Sequence, residues 1–257
     1  MYYIVTAINK ASASGGRKIQ LPENTVCRPV QSQCLRRSRM KKELMEEIRS
    51  MDTASISDAM DKLGIPGGLL GIQAVIPGHK ICGEAFTVHY VPCGPVKGTV
   101  GDFIDDVKPG QVVVIDNAGR NYCTVWGDIM TFTAKTKGIE GTLIDGVCRD
   151  VNGIEELDYS IYTKGKYMVT GKERVEVDAV NVPVAVSGVQ VRPGDIILGD
   201  DSGALCIPAD RAEEILKIAK TIEETEQKII AEVKAGSTLK AAREKLGYHH
   251  LQSKEEA

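Results

Sequence analysis

Two segments of the 257-residue chain repeat one pattern, Val107-Lys-Pro-Gly-Gln-Val-Val-Val-Ile-Asp116 and Val191-Arg-Pro-Gly-Asp-Ile-Ile-Leu-Gly-Asp200. In each, a Pro-Gly turn leads into an aliphatic run that ends in Asp. The run has no polar alternation, so a strand built from it exposes apolar side chains on both faces and needs cover on both. Two copies so far apart are reuse of a turn-plus-strand device and give no support for a solenoid. Further β-type runs bounded by turn residues lie at 83–91, 141–147, 182–188 and 204–208. A layered α/β domain is therefore expected.

Helical segments flank and interrupt these runs. From Met40, KKELMEEIRSM reads as an amphipathic helix, and TASISDAMDKLG as a second, with Thr53 or Ser55 as its cap and Gly64 at its end. GDIMTFTAKTKG (127–138) predicts a helix between two glycines. The last long helix is expected from Asp210, with Glu213 completing a capping box, to Gly236. Its apolar stripe runs through Ile215, Ala219 and Ile222 to Ile229 and Val233, and Glu226 interrupts it. A carboxylate there either escapes to solvent or meets a cation, a metal or a partner chain.

Composition limits the function classes. Hydrophobic residues make up 42% of the chain and its net charge is -3, which excludes a disordered chain, and no apolar run is long enough to span a bilayer. Residues 1–39 nevertheless carry seven bases and one acid, a +6 leader on a −9 remainder. Such a leader is a nucleic-acid arm, a transit peptide or a segment peripheral to the domain, and the helical start at Met40 favours the last. The expected division is a basic leader (1–39), one domain (40–240) and a polar tail (241–257). Seven widely spaced cysteines without CxxC suit a reducing, cytoplasmic setting. Cys148 has no nearby His to activate it, and the four histidines are scattered.

No Walker loop, Rossmann fingerprint, HExxH or GxSxG occurs. What remains is carboxylate, Arg and Gly at strand ends: Asp116-Asn-Ala-Gly-Arg120, Trp126-Gly-Asp128 and Ile144-Asp-Gly-Val-Cys-Arg-Asp150. Such residues are ordinary turn formers. They are also placed where α/β layers bind ligands. Gly127 opening a helix, with the Ile129 and Met130 N–H groups unpaired, would suit a carboxylate or phosphate. Arg149 would add a fixed cation beside Asp150, a ligand for a hard metal.

Asp128 is followed by twenty residues and then Arg149-Asp150. Together with Thr53-x-x-Ile-x-Asp-Ala59, the DNAGR loop, the WGD helix start, IDGVCRD and V-R-P-G-D-x-x-x-G-D-D-x-G, this resembles one family over roughly residues 50 to 240. That family contains 4-hydroxy-4-methyl-2-oxoglutarate/4-carboxy-4-hydroxy-2-oxoadipate aldolase and the regulator of ribonuclease activity A. The resemblance implies a swivelling-type β/β/α layered sandwich, one domain with N-terminal helices and a long C-terminal helix, assembled as a homotrimer or dimer of trimers. It implies Mg²⁺ or Mn²⁺ held by Asp150, pyruvate enolate stabilised by Arg149, and a substrate carboxylate held at Gly127, Ile129 and Met130. Asp128 would orient a water that serves as base. Glu226, or failing it Glu224, would approach from the last helix of an adjacent subunit.

The activity so implied is lyase chemistry on a small 2-oxo acid: cleavage of 4-hydroxy-2-oxo acids to pyruvate plus an oxo acid, and decarboxylation of oxaloacetate. No nucleic acid or membrane takes part. The alternative within the resemblance is a non-catalytic regulator that docks on a ribonuclease or another protein. One departure stands out: many members carry an acid three positions after the metal-binding Asp, where this chain has Gly153.

Overall fold

The computed structural model describes the backbone of residues 28–248 and the side chains of residues 39–248. The chain divides into two compact units, Met1–Met40 and Lys41–Ala257, and the layers and the site belong to the second. Residues 1–27 of the leader expected at 1–39, and His249-His250, lie outside the described residues. The first helix, α1 (Arg28–Ser50), begins well before Met40. It is followed by α2 (Thr53–Lys62), β1 (Gln73–Ala74), β2 (Ile81–Pro92), a 3-10 turn at Asp102–Asp106, β3 (Gln111–Thr124), α3 (Asp128–Lys137), β4 (Gly141–Cys148), α4 (Val151–Glu156) and β5 (Ile161–Lys166). Then come β6 (Val175–Val180), β7 (Val184–Val186), β8 (Val189–Val191), β9 (Ile196–Asp200), β10 (Gly203–Ile207), α5 (Ala212–Lys234) and α6 (Leu239–Lys245).

Eight strands form one sheet in the order β1-β5-β4-β3-β2-β9-β10, with β6 also paired to β2, while β7 and β8 form a separate hairpin. Strands β2 to β5 are parallel neighbours, and β6, β9 and β10 are antiparallel additions. The unbroken aliphatic runs are explained by the layers. Val112, Val114, Leu143, Tyr162 and Ile197 point to one face, where Val184, Val186 and Val191 of the hairpin cover them. Val113, Ile115, Ile144 and Ile161 point to the other face, where Ala134 of α3 and Ile154 of α4 pack. On that same face, further along the sheet, Ile196, Leu198, Leu205 and Ile207 meet Ile56 and Met60 of α2 and Ile215, Ala219 and Ile222 of α5. A hairpin on one side and helices on the other make the β/β/α sandwich.

Both copies of the turn-plus-strand device end the same way. Asp116 Oδ2 accepts the Ala185 N–H of the hairpin at 3.2 Å, and its Oδ1 accepts Ala118 N–H at 2.9 Å. Asp200 Oδ2 accepts Thr53 N–H at 2.8 Å, and its Oδ1 accepts the Thr53 hydroxyl at 2.7 Å and Ser202 N–H at 2.8 Å. Each carboxylate that closes an aliphatic run thus fastens the layer outside its strand. This also corrects the expected cap of α2. Thr53 is committed to Asp200, and Asp52 caps the helix by accepting Ser55 N–H at 2.6 Å.

Two other ends differ from expectation. The capping box at Asp210 does not form: α5 starts at Ala212 with Arg211 as its N-cap, and Arg211 Nε donates to Glu214 instead. Residues 239–245, assigned in large part to a polar tail, form α6, because Thr238 caps it through Ala241 N–H and Ala242 is buried. By contrast α3 matches its two glycines, with Gly127 as N-cap and Gly138 as a left-handed C-cap at φ 69°. The short α4 and strands β5, β6 and β8 carried no clear periodic signal.

Burial pushes the Asp200 carboxyl up, but hydrogen bonds from the Thr53 N–H and hydroxyl and from Ser202 N–H outweigh it and hold it below its ordinary value. The carboxylate therefore stabilises the fold above its unfolded pKa, and that stabilisation is lost as pH falls through the lower folded pKa. Asp200→Asn should lower the stability at pH 7 by about 1–3 kcal/mol. In urea titrations the gap to the parent protein should close at strongly acidic pH.

Candidate active site at the ends of β3 and β4

Parallel strands followed by helices leave their carboxyl ends beside free helix N-terminal N–H groups, which is where α/β layers bind ligands. Here β3 runs into α3 through Val125-Trp126-Gly127, and β4 runs into α4 through Arg149-Asp150. The two links meet. Arg149 N–H donates to Trp126 O at 3.1 Å, and Asp128 N–H donates to Asp150 Oδ2 at 3.3 Å. The same oxygen lies 3.2 Å from Arg149 Nε. Asp150 itself adopts the left-handed conformation, φ 58° and ψ 41°, as N-cap of α4, and its side chain caps nothing. An L-residue held there is often a sign of a site that the surroundings impose.

Gly127 is required by this approach. A Cβ at that position would lie 2.4 Å from Asp150 Oδ2 and 3.3 Å from Arg149 Nε. Gly153 faces the same place from α4, where a Cβ would lie 3.3 Å from Asp128 Cβ. The acid expected from the family pattern at position 153 would therefore sit against Asp128.

A cavity of about 230 Å³ opens beside these residues, lined by Val100, Gly101, Thr124, Val125, Trp126, Gly127, Asp128, Ile129, Met130, Arg149 and Thr170. Trp126 is buried, stacks on Tyr159 with 6.3 Å between ring centroids, and donates its indole N–H to Thr131 Oγ1 at 2.9 Å. The buried Thr124 Oγ1 lies 2.9 Å from Trp126 O and 3.0 Å from Val147 O, which ties the end of β3 to β4.

The structure thus unites Gly127, Asp128, Ile129, Met130, Arg149 and Asp150, with one correction. Ile129 N–H is not free, because Asp128 Oδ1 accepts it at 2.7 Å. Of the two donors expected for a ligand carboxylate, only the Met130 N–H lacks a hydrogen bond among the described residues. Glu226, expected to approach from an adjacent subunit, lies outside this chain's own site. It is half-buried on α5, and its carboxyl is raised by burial and by Asp58, Asp52 and Glu223. Glu224 on the same helix is exposed.

Sequence reasoning missed Thr124, Gly101 and Thr170 as lining residues, since a lone Thr or Gly in a turn has no distinguishing pattern. The two described histidines are engaged elsewhere: His79 Nε2 lies 3.1 Å from Asp158 Oδ1, and His89 Nδ1 lies 3.1 Å from Asp178 Oδ2. The Cys148 thiol is pushed up to about 11, chiefly by burial, which favours the thiol over the nucleophilic thiolate.

Asp150 fits a hard divalent cation. Its Oδ1 makes no hydrogen bond to a described residue, and among the described residues no group of three or more His, Cys, Asp or Glu surrounds a common point. One protein oxygen, with waters and ligand oxygens completing the shell, is the donor set of an ion such as Mg²⁺ that keeps much of its water.

Gly127→Ala should force Asp150 and the start of α3 apart, so a crystal structure of the variant should show the Asp128 N–H to Asp150 hydrogen bond broken while the sheet stays unchanged.

The family model for RraA-like proteins, Aldolase/RraA, matches residues 53–206. Protein DlpA of Legionella pneumophila is 42% identical over 209 residues, covering 80% of this chain and 34% of DlpA, so the chain spans about a third of that relative's length. A protein of Halalkalibacterium halodurans provisionally named 4-hydroxy-4-methyl-2-oxoglutarate aldolase is 32% identical over 69% of this chain and 82% of its own. Among solved structures, an uncharacterized protein from Pseudomonas syringae pv. tomato superimposes with a TM-score of 0.73 at 42% identity, over 79% of this chain and 97% of that one. Streptomyces coelicolor RraAS2, described as an unusual member of the RNase ES inhibitor RraA protein family, gives a TM-score of 0.66 at 30% identity, over 72% and 94%.

Proposed function

The chain belongs to the RraA-like family, Aldolase/RraA, and we propose that it is a divalent-metal-dependent carbon–carbon lyase. Its substrates would be 4-hydroxy-2-oxo acids of the 4-hydroxy-4-methyl-2-oxoglutarate type, cleaved to pyruvate and a second oxo acid, with oxaloacetate decarboxylation at the same site. The observation that carries this reading is the meeting of Asp128, Arg149 and Asp150 around the close approach of Gly127, with Asp128 and Arg149 lining the adjoining cavity.

Asp150 would hold the cation, Mg²⁺ or Mn²⁺, through its free Oδ1. Bound there, the metal supplies Lewis acidity and lowers the pKa of a nearby water. In the cleavage, the 4-hydroxyl loses its proton, the C3–C4 bond breaks, and its electron pair moves through C3 onto the keto oxygen as an enolate. Arg149, fixed through its Nε on Asp150, meets the charge on that oxygen. Protonation at C3 releases pyruvate, and C4 leaves as the carbonyl of the second oxo acid. Loss of CO₂ from oxaloacetate gives the same enolate without the first proton transfer, so one set of residues serves both reactions.

Asp128 has Oδ1 on Ile129 N–H, which leaves Oδ2 to orient the water that takes the hydroxyl proton. The Met130 N–H would hold the substrate carboxylate, and Ile129 N–H would join it only when Asp128 turns away. We propose a homotrimer or dimer of trimers in a cytoplasmic setting, in which Glu226 reaches a neighbouring subunit's site; nucleic acid and membrane have no part. Among the described residues no helix is long and apolar enough to cross a membrane.

Incubation with oxaloacetate or 4-hydroxy-4-methyl-2-oxoglutarate should release pyruvate with Mg²⁺ and not with EDTA, read with lactate dehydrogenase. Arg149→Ala should lower kcat by about 10²–10³-fold, the usual loss for a removed oxyanion donor. No metal-dependent release from either acid would refute the lyase and leave the regulator reading, tested by inhibition of a purified ribonuclease.

Glu226→Gln separates stability from function. Because the folded carboxyl is raised, ionisation opposes folding as pH rises through its unfolded value. The variant should therefore be slightly more stable at pH 7, by at most about 0.5 kcal/mol given its exposure, and this gain should vanish at acid pH. A lower kcat in the same variant would support delivery of Glu226 to a neighbouring site, and an unchanged kcat would remove it from the mechanism.

A further inference from the structure

The DNAGR motif lies near the candidate site without lining its cavity, and the proposed reaction gives it no task. It is no loop between elements. It sits inside β3 as a long excursion: Asp116 pairs with Asp145, Arg120 with Gly146 and Thr124 with Val147, so β3 uses four residues for each one of β4. Such an insertion relaxes unless something holds it, because left-handed residues and unpaired backbone groups are unfavourable. Ala118 (φ 49°) and Gly119 (φ 66°) are left-handed, and Asn117 is fully buried with no partner for Nδ2 among the described residues.

One side chain spans the excursion. Arg120 Nη1 lies 3.1 Å from Asn117 O, 3.2 Å from Asn117 Oδ1 and 3.3 Å from Tyr90 O on β2, donating to the turn and to the neighbouring strand together. Gly146 allows the buried turn to close on β4, since a Cβ there would lie 3.1 Å from both Asn117 Nδ2 and Arg120 O. Where the excursion ends, Thr124 rejoins β4, and from that point only Val125 and Trp126 separate it from Gly127.

We propose that Arg120 is a positioning residue for the lyase reaction. By bracing the excursion in β3 it fixes how far the Thr124–Gly127 segment advances along β4, and so sets Gly127 and the start of α3 against Arg149 and Asp150. This rests on the lyase reading for its effect on turnover, but the placement of the segment has a readout of its own. Trp126 is the chain's single tryptophan, lies in that segment, and is held by Thr131 and Tyr159.

The test compares full-length Arg120→Met and Arg120→Lys with the parent, with Arg49→Ala as control. Arg49 ties α1 to the sheet through Glu140 and the Cys82 carbonyl, away from the site. Arg120→Met should red-shift Trp126 emission, raise its quenching by acrylamide, and lower kcat for pyruvate release by about 10²-fold, as a displacement of about 1 Å in reacting groups can do. Arg120→Lys keeps a cationic donor and should restore most of both signals, while Arg49→Ala should change neither. If Arg120→Met does not fold, Arg120→Gln carries the same expectations at smaller size.

A parent-like Trp126 signal in Arg120→Met overturns the proposal, as does an equal change in Arg49→Ala. If the parent itself releases no pyruvate, the lyase reading falls, and the Trp126 signals alone decide whether Arg120 sets the segment.

Discussion

A carboxylate buried after an aliphatic run of a strand has to be satisfied by donors, and the nearest donors belong to the next layer. That requirement organises this protein. Asp116 takes an N–H from the hairpin and Asp200 takes an N–H and a hydroxyl from the start of α2. Asp145, on the same face of the sheet as Asp116, takes Ser187 N–H at 3.2 Å and the ammonium of Lys164 at 2.5 Å. Apolar packing would let the hairpin or the helix slide on the sheet, since such contacts are non-directional. The carboxylates add direction, because each accepts from a particular backbone group and an unmet buried charge is far more costly than a shifted methyl group.

The candidate site applies the same device with one donor missing. Asp150 Oδ2 is met by the Asp128 N–H and faces Arg149, while Oδ1 has no hydrogen bond among the described residues. A strand-end carboxylate that is only half satisfied, on a residue in the left-handed region, makes a weak structural joint. It suits a ligand better, because lone pairs remain unmet beside a cavity that Gly127, Asp128 and Arg149 help to line. The order of the elements explains why two chain links suffice: β3-α3 and β4-α4 are neighbouring parallel units, so their turns are adjacent without any long-range connection.

Much of this was legible in the sequence because it rests on local chemistry. The aliphatic runs of β3 and β9 announce cover on both faces, and Gly127 and Gly138 delimit α3 to the residue. Other features depend on tertiary competition. Thr53 looks like a cap, yet Asp200, far along the chain, claims both its N–H and its hydroxyl, so Asp52 takes the role. Ile129 N–H looks free because helix N-termini leave donors unpaired, but the preceding Asp128 folds back onto it. Glu226 was visible as an irregularity in a stripe, and its closest acidic neighbours on α2 were not, since nothing in the sequence aligns α2 with α5. The excursion in β3 is the clearest case. DNAGR reads as a turn between elements, and only its pairing with β4 reveals it as a strand interrupted and resumed.

Electrostatics decides how far the site can tolerate change. The remainder after residue 39 is acidic, and an anionic oxo acid would be repelled by Asp128 and Asp150 alone. On the proposed reading, Arg149 and a divalent cation together would bring three positive charges against those two carboxylates, so the pocket would attract the anion only with both present. Gly153 matters in this balance. An acid in its place would put a third carboxylate near Asp128 and cancel the excess, leaving attraction to depend on other cations or on outer-shell waters. With a divalent cation bound, the departure of this chain from the common pattern would therefore leave a net positive charge at the site, beside a cavity in which Arg149 is the sole cationic lining side chain among the described residues. On the proposed lyase reading that surplus would favour a 2-oxo acid, and it would make Arg149, rather than any carboxylate, the residue whose replacement the site can least absorb.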